Sequence, residues 1–94
     1  MFVVLLKYIK GLEEIDSYLP AHRDYLAEQY DNGNFIISGR QIPRTGGIIF
    51  ANVCSRDELE EIIERDPFKI NNIADYEFIE FEPTMSCEEL EWVL

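Results

Sequence analysis

One histidine, His22, and a few well-spaced acids and arginines are the residues of this chain with chemistry to offer. A neutral imidazole near physiological pH is the commonest general base and acid. At 100° per residue, His22 falls within an apolar helical stripe formed by Ile15, Leu19, Leu26 and Tyr30. Such a histidine is either a core residue satisfied by one hydrogen bond or a proton shuttle held out of water. Asp66 precedes Pro67 at the predicted end of a second helix. The dipole there is unfavourable to an anion, so the carboxylate needs a compensating partner or full exposure. Phe68, two residues on, can wall a pocket or fill the core. Ser38 and Arg40 lie where a strand enters its loop, and Arg40 could clamp a substrate carboxylate in bidentate fashion. Arg23, on the margin of the histidine's stripe, is a second cation within reach of a ligand.

Other devices are missing. Gly46-Gly47 stands without a phosphate-loop pattern, and Ser38 lies in no GxSxG elbow. One histidine and two isolated cysteines offer too few customary ligands for zinc. The expectation from these residues is therefore chemistry without zinc.

These side chains are positioned by a short alternation of strands and helices. Phe2–Ile9 is apolar on both faces, as in a central strand. A helix is predicted from Asp16 or Ser17 to about Asn32, with Pro20 in its first turn and Gly33 as a left-handed stop. Phe35–Ser38 and Ile48–Cys54 read as strands around the Gly46-Gly47 turn. Ser55 with Glu58 forms a capping box for a second helix, faced by Leu59, Ile62 and Ile63. Tyr76–Phe81 is a last strand, and Ser86–Leu94 has helical character with Trp92 and Leu94 as apolar anchors. The order β-α-β-β-α-β is the ferredoxin-like pattern of the α+β class: a four-stranded antiparallel sheet with two helices on one face. The first and last strands carry apolar residues of both parities, so the second face also needs cover. Two sheets paired face to face, as in a dimeric α/β barrel, would supply it.

At 94 residues the chain is expected to form one domain, residues 1–83, followed by an acidic tail at 84–94. Nineteen acids against eight basic residues give a net charge of −11, and thirteen of the acids fall from Cys54 onward. Nucleic acid and anionic membrane are poor partners on this balance, because phosphates are bound by displacing counterions with lysine and arginine. No apolar run reaches the roughly 18 residues of a spanning helix. Cys54, at the end of an apolar run, is expected to be buried and Cys87 to lie in the polar tail. A reduced, cytoplasmic protein is the simplest setting.

The segment Pro20-Ala21-His22-Arg23-Asp24-Tyr25-Leu26, followed by Gly33, Ser38-Gly39, Gly46-Gly47 and Asp66-Pro67-Phe68, resembles the YCII-related family from the first strand to about Pro83. The resemblance implies a ferredoxin-like fold assembled as a dimeric α/β barrel, similar to that of muconolactone isomerases. It also implies a site in which His22 and Asp66 meet, with no bound cofactor. A few members act on small cyclic or aromatic compounds, one as a dehydrochlorinase of a chlorinated hydroxyhydroquinone. Where many members have Ser-Gly-Pro, this chain has Ser38-Gly39-Arg40, so no substrate transfers with the resemblance.

The leading expectation is a lyase or isomerase acting on a small cyclic or unsaturated acid. His22 would move a proton, Asp66 would orient it, and Ser38, Arg40, Arg23 and Phe68 would hold the substrate. The rival expectations are a non-catalytic homodimer that senses a small metabolite, and an interaction protein whose acidic tail docks a basic partner.

Overall fold

The computed structural model describes residues 1–94. Strand β1 (Phe2–Tyr8) is followed by helix α1 (Leu12–Asp31), strands β2 (Phe35–Arg40) and β3 (Gly46–Ala51), and helix α2 (Arg56–Ile63). A one-turn helix, α3 (Pro67–Ile70), and strand β4 (Ala74–Glu80) complete the domain. The strands form one sheet in the order β2-β3-β1-β4, every neighbouring pair antiparallel. This is the predicted ferredoxin-like arrangement, with the helices on one face.

Strand alternation decides which side chains reach the helices. On β1, Phe2, Val4 and Leu6 are buried beneath them, whereas Val3 and Leu5 face the other way and are only half-buried. Phe35, Ile49, Ala51 and Ala74 join the buried side from the other strands, and Ile15, Tyr25, Leu59, Ile62, Ile63 and Phe68 meet them from the helices. The opposite face carries Ile37, Ile48, Phe50, Ile79 and Phe81, all exposed, with Ile37 as much as 61%.

Helix α1 starts earlier than expected, at Leu12, with Gly11 as its N-cap. Glu13 and Glu14 occupy its first turn, where acids favour the positive end of the dipole. Pro20 consequently lies in the helix interior rather than its first turn. The carbonyl it leaves without a donor belongs to Asp16, which is exposed to solvent. At the other end Gly33 adopts φ +75°, the left-handed stop read from the sequence.

The buried stripe of α1 is also rotated from the predicted one. Ile15, His22, Tyr25 and Gln29 are buried, Leu19 and Leu26 are half-buried, and Tyr30 is exposed. The rotation follows from the packing partners. The Tyr25 hydroxyl donates to the Ile62 carbonyl of α2 at 2.8 Å, which draws that side of the helix inward.

Ser55 caps α2 as expected, accepting from the Glu58 N–H at 3.2 Å. Cys54, expected to be buried, is exposed, because β3 ends at Ala51 and Cys54 lies in the connection to α2. Both cysteines are free thiols. The tail does form a 3₁₀ helix, Glu88–Val93, but its supposed anchors do not hold it down. Trp92 and Leu94 are about three-fifths exposed and neither belongs to the core.

Gly46 marks the tightest approach in the sheet. A Cβ built there would stand 1.8 Å from the Leu6 carbonyl oxygen of β1. That atom is backbone and cannot swing aside, so Gly46→Ala must part β1 from β3. The variant is expected to lose about 3 kcal/mol or more, at or beyond the upper end of ordinary overpacking costs. Urea unfolding with an unchanged m-value would measure it.

Candidate functional site

Asp66 joins the predicted site residues together. It does not end α2; it is the N-cap of α3, with Pro67 at the first helical position. Its Oδ1 accepts from the Phe68 N–H at 3.0 Å, so the sign of the helix-dipole effect is the reverse of that expected from the sequence. The same oxygen lies 2.7 Å from His22 Nδ1, across 44 residues of chain. The second oxygen, Oδ2, accepts from the Tyr76 hydroxyl at 2.7 Å. Asp66 is fully buried, and three donors on three elements compensate its charge.

His22 is fixed on two sides. An ionised carboxylate only accepts, so the Nδ1 facing it carries the proton and the imidazole is held in one tautomer. Phe68 stacks on the ring, with centroids 3.9 Å apart and planes within 4°. The remaining nitrogen, Nε2, has no hydrogen-bond partner in the protein and is not enclosed. His22 and Phe68 form part of the wall of a cavity of about 290 Å³.

That cavity lies between α1 and the end of the sheet formed by β1, β2 and β3. Leu19 and Leu26 contribute from the helix and Leu6, Tyr8 and Ile49 from the sheet. Part of the apolar stripe read from the sequence therefore lines a cavity as well as packing against the core. Ser38, Arg40 and Arg23 all line it too, so five of the six expected site residues share its wall and Asp66 stands directly behind His22. Ser38 is already engaged, its hydroxyl paired with that of Tyr30. No Asp or Glu lines the cavity. No cluster of three or more His, Cys, Asp or Glu side chains is placed to hold a metal ion.

Three contributors were missed in the sequence. Arg44 lines the cavity from the β2–β3 loop and pairs with Asp16 on α1. That hydrogen bond is the main cause that holds the Asp16 carboxyl below its usual range and raises the Arg44 guanidinium above its own. Tyr8 lines the same wall, and Tyr76 holds Asp66 from behind. Alternation carried a signal for the tyrosines, since Tyr8 and Tyr76 share the parity of the buried Leu6, to which Tyr76 is the β4 neighbour. Nothing local distinguished Arg44.

The family model for the YCII-related domain matches residues 1–82. This chain belongs to the YCII-related family. No functionally curated protein matches it. Among solved structures, 5-chloro-2-hydroxyhydroquinone dehydrochlorinase from Burkholderia phenoliruptrix AC1100, in complex with 2,5-dihydroxybenzoquinone, is similar with a TM-score of 0.74. The likeness covers 85% of this chain and 91% of that one at 20% identity, and it establishes the ferredoxin-like fold. No helix of this YCII-related chain is long and apolar enough to cross a membrane.

Two measurements test the Asp66 hub. Asp66→Ala removes the α3 cap and strands the His22 and Tyr76 donors, and is expected to cost about 2–4 kcal/mol in urea unfolding. The second is alkaline stability. Burial first, and then the Asp66 carboxylate, push the phenols of Tyr76 and Tyr25 well above their ordinary value. The unfolded chain ionises these tyrosines from about pH 10, whereas the folded chain keeps them protonated. Their contribution is thus complete below about pH 10 and is lost above it, at up to about 1.4 kcal/mol per pH unit for each tyrosine. Tyr76→Phe is expected to make that decline shallower in thermal melts between pH 8 and 11; an unchanged slope would mean that Tyr76 ionises freely.

Proposed function

We propose that this protein is a lyase or isomerase that moves a proton on a small cyclic or unsaturated acid, with His22 as the base. The observation that carries the proposal is the buried His22–Asp66 hydrogen bond at 2.7 Å behind a cavity that His22 lines. With Nδ1 committed to Asp66, Nε2 is the nitrogen left to take a proton from a ligand in the cavity. Asp66 then balances the imidazolium charge without itself accepting the proton. Phe68 keeps the ring from turning, and Leu6, Leu19 and Leu26 give the cavity an apolar wall beside it.

In an elimination, the bond to the abstracted proton leaves its electron pair to form a new double bond. The leaving group departs with the electrons of its own bond, as an anion. In an isomerisation, the same Nε2 returns the proton to another carbon of the conjugated system. Both need only one base, and both need the ligand's charged end held away from it. Arg40 and Arg23 are assigned that role, with Ser38 as a neutral contact. The similarity to a dehydrochlorinase supports the elimination branch.

Turnover should be sought as chloride release from 5-chloro-2-hydroxyhydroquinone and as double-bond migration in muconolactone. His22→Gln is expected to lower the rate on whichever is accepted by about 10²–10⁴, the usual worth of general acid–base assistance. A His22→Gln variant that folds and retains the wild-type rate would falsify the assignment. Absence of turnover combined with thermal stabilisation by 2,5-dihydroxybenzoquinone would favour the metabolite-binding module instead.

The working unit is proposed to be a homodimer joined through the open sheet face. Ile37, Ile48, Phe50, Ile79 and Phe81 give that face its apolar character, and Phe50 and Phe81 already pack edge to face at 6.3 Å. Phe50→Glu is expected to sediment as a monomer at micromolar concentration while the unmodified chain sediments as a dimer. A monomeric unmodified chain would remove this part of the proposal.

A further inference from the structure

The chain has a net charge of −11, yet the cavity wall contains Arg23, Arg40 and Arg44 and no carboxylate. Of the arginines outside the cavity, Arg56 forms an ion pair with Glu60 and Arg65 forms none. Neither Arg23 nor Arg40 forms an ion pair, although both are exposed enough to reach one. Arg44 pairs with Asp16 through one terminal nitrogen and also interacts with the Tyr8 hydroxyl, but its Nε is buried with no hydrogen-bond partner. A guanidinium has five donors in a fixed fork, so Arg44 retains unused capacity in a confined place.

Asp16 shows where the three charges converge. After its hydrogen bond with Arg44, its carboxyl is influenced by the charges of Arg44, Arg23 and Arg40, in that order. All three guanidiniums therefore bear on Asp16, which pairs with one of them. Arg23 and Arg40 remain without an ion pair. A cavity of about 290 Å³ lies at the lower limit of ordinary ligand sites, which suits a single ring.

We infer that the cavity is built for a doubly charged, single-ring anion, received by Arg23, Arg40 and Arg44, with Asp16 as the internal counter-ion that yields part of Arg44 to it. This rests on the cavity being the ligand site and sharpens the substrate class proposed above. A monoanion leaves one guanidinium unmatched, whereas a dianion satisfies both free arginines. Asp16 sets the threshold: it competes for Arg44 with the ligand and favours ligands charged enough to displace it.

Benzoate, phthalate and terephthalate are suitable probes, titrated calorimetrically at low and high salt. At least one dicarboxylate is expected to bind about tenfold or more tighter than benzoate, a difference of about 1.4 kcal/mol. The preference should fade in 0.5 M NaCl, where charges a few ångströms apart are already screened. Arg40→Ala and Arg23→Ala, both at exposed positions, should each reduce that preference, and Asp16→Asn should tighten dicarboxylate binding. Equal binding of benzoate and both dicarboxylates, or no binding of any, overturns the inference. So does a preference unaffected by Arg40→Ala and Arg23→Ala. The same titration on His22→Gln separates the two proposals: retained dianion selectivity without any catalytic effect of His22 would leave this inference standing and remove the acid–base role.

Discussion

A single buried carboxylate holds the site together. Asp66 accepts hydrogen bonds from His22 on α1, Phe68 on α3 and Tyr76 on β4, so one charge fixes the mutual position of two helices and an edge strand. A fully buried anion is tolerated only when its lone pairs are well used, and here all three partners are donors. The local sequence arranges this economically. Proline at the start of α3 needs no N–H partner, the aspartate before it caps the next free N–H, and the phenylalanine that donates that N–H also stacks on His22. Three adjacent residues therefore set the orientation, the tautomer and one wall of the histidine's environment.

Charge is distributed in two layers that the net value conceals. Most of the acids lie from Cys54 onward, whereas three of the five basic residues before it gather around the cavity. Screening limits the reach of exposed charge to about 8 Å at physiological ionic strength, so the distant acids weaken the cavity's field less than their number suggests. An acidic protein can thus present an anion-binding cavity, provided the arginines that face it are kept from the acids elsewhere. Only Asp16 breaks that separation, through its pairing with Arg44 in the cavity wall.

The architecture and half of the site were legible in the sequence because they depend on short-range patterns. The apolar runs of β1 and β4, the Gly33 stop and the Ser55 cap all act within a few residues, and together they prescribe the ferredoxin-like order. The pairing of His22 with Asp66 followed from family resemblance, since 44 residues separate them and no periodicity links them. What escaped was decided by tertiary packing. Asp-Pro read as a helix stop because the cap it forms belongs to a helix of only one turn. The rotation of α1 toward Tyr25 and Gln29 depends on its neighbour α2, and the early start at Leu12 on two glutamates that no apolar periodicity reports. Arg44 comes to the cavity only through the path of the β2–β3 loop.

The same rotation links the site to the demand for a second copy of the chain. Leu19 and Leu26 pack against the core on one side and line the cavity on the other, so they remain half-buried. Val3 and Leu5 of the central strand are likewise half-buried, and the apolar residues of the open face are exposed. A domain of this size has little apolar surface to spare, since small folds bury a smaller share of what their unfolded chains expose. At about 25 cal/mol per Å², covering each exposed phenylalanine or isoleucine of that face would contribute on the order of 1 kcal/mol. A partner on the sheet would offset what the cavity withholds from the core. The proposed homodimer is in this sense the structural counterpart of an open cavity on the other face of the same sheet.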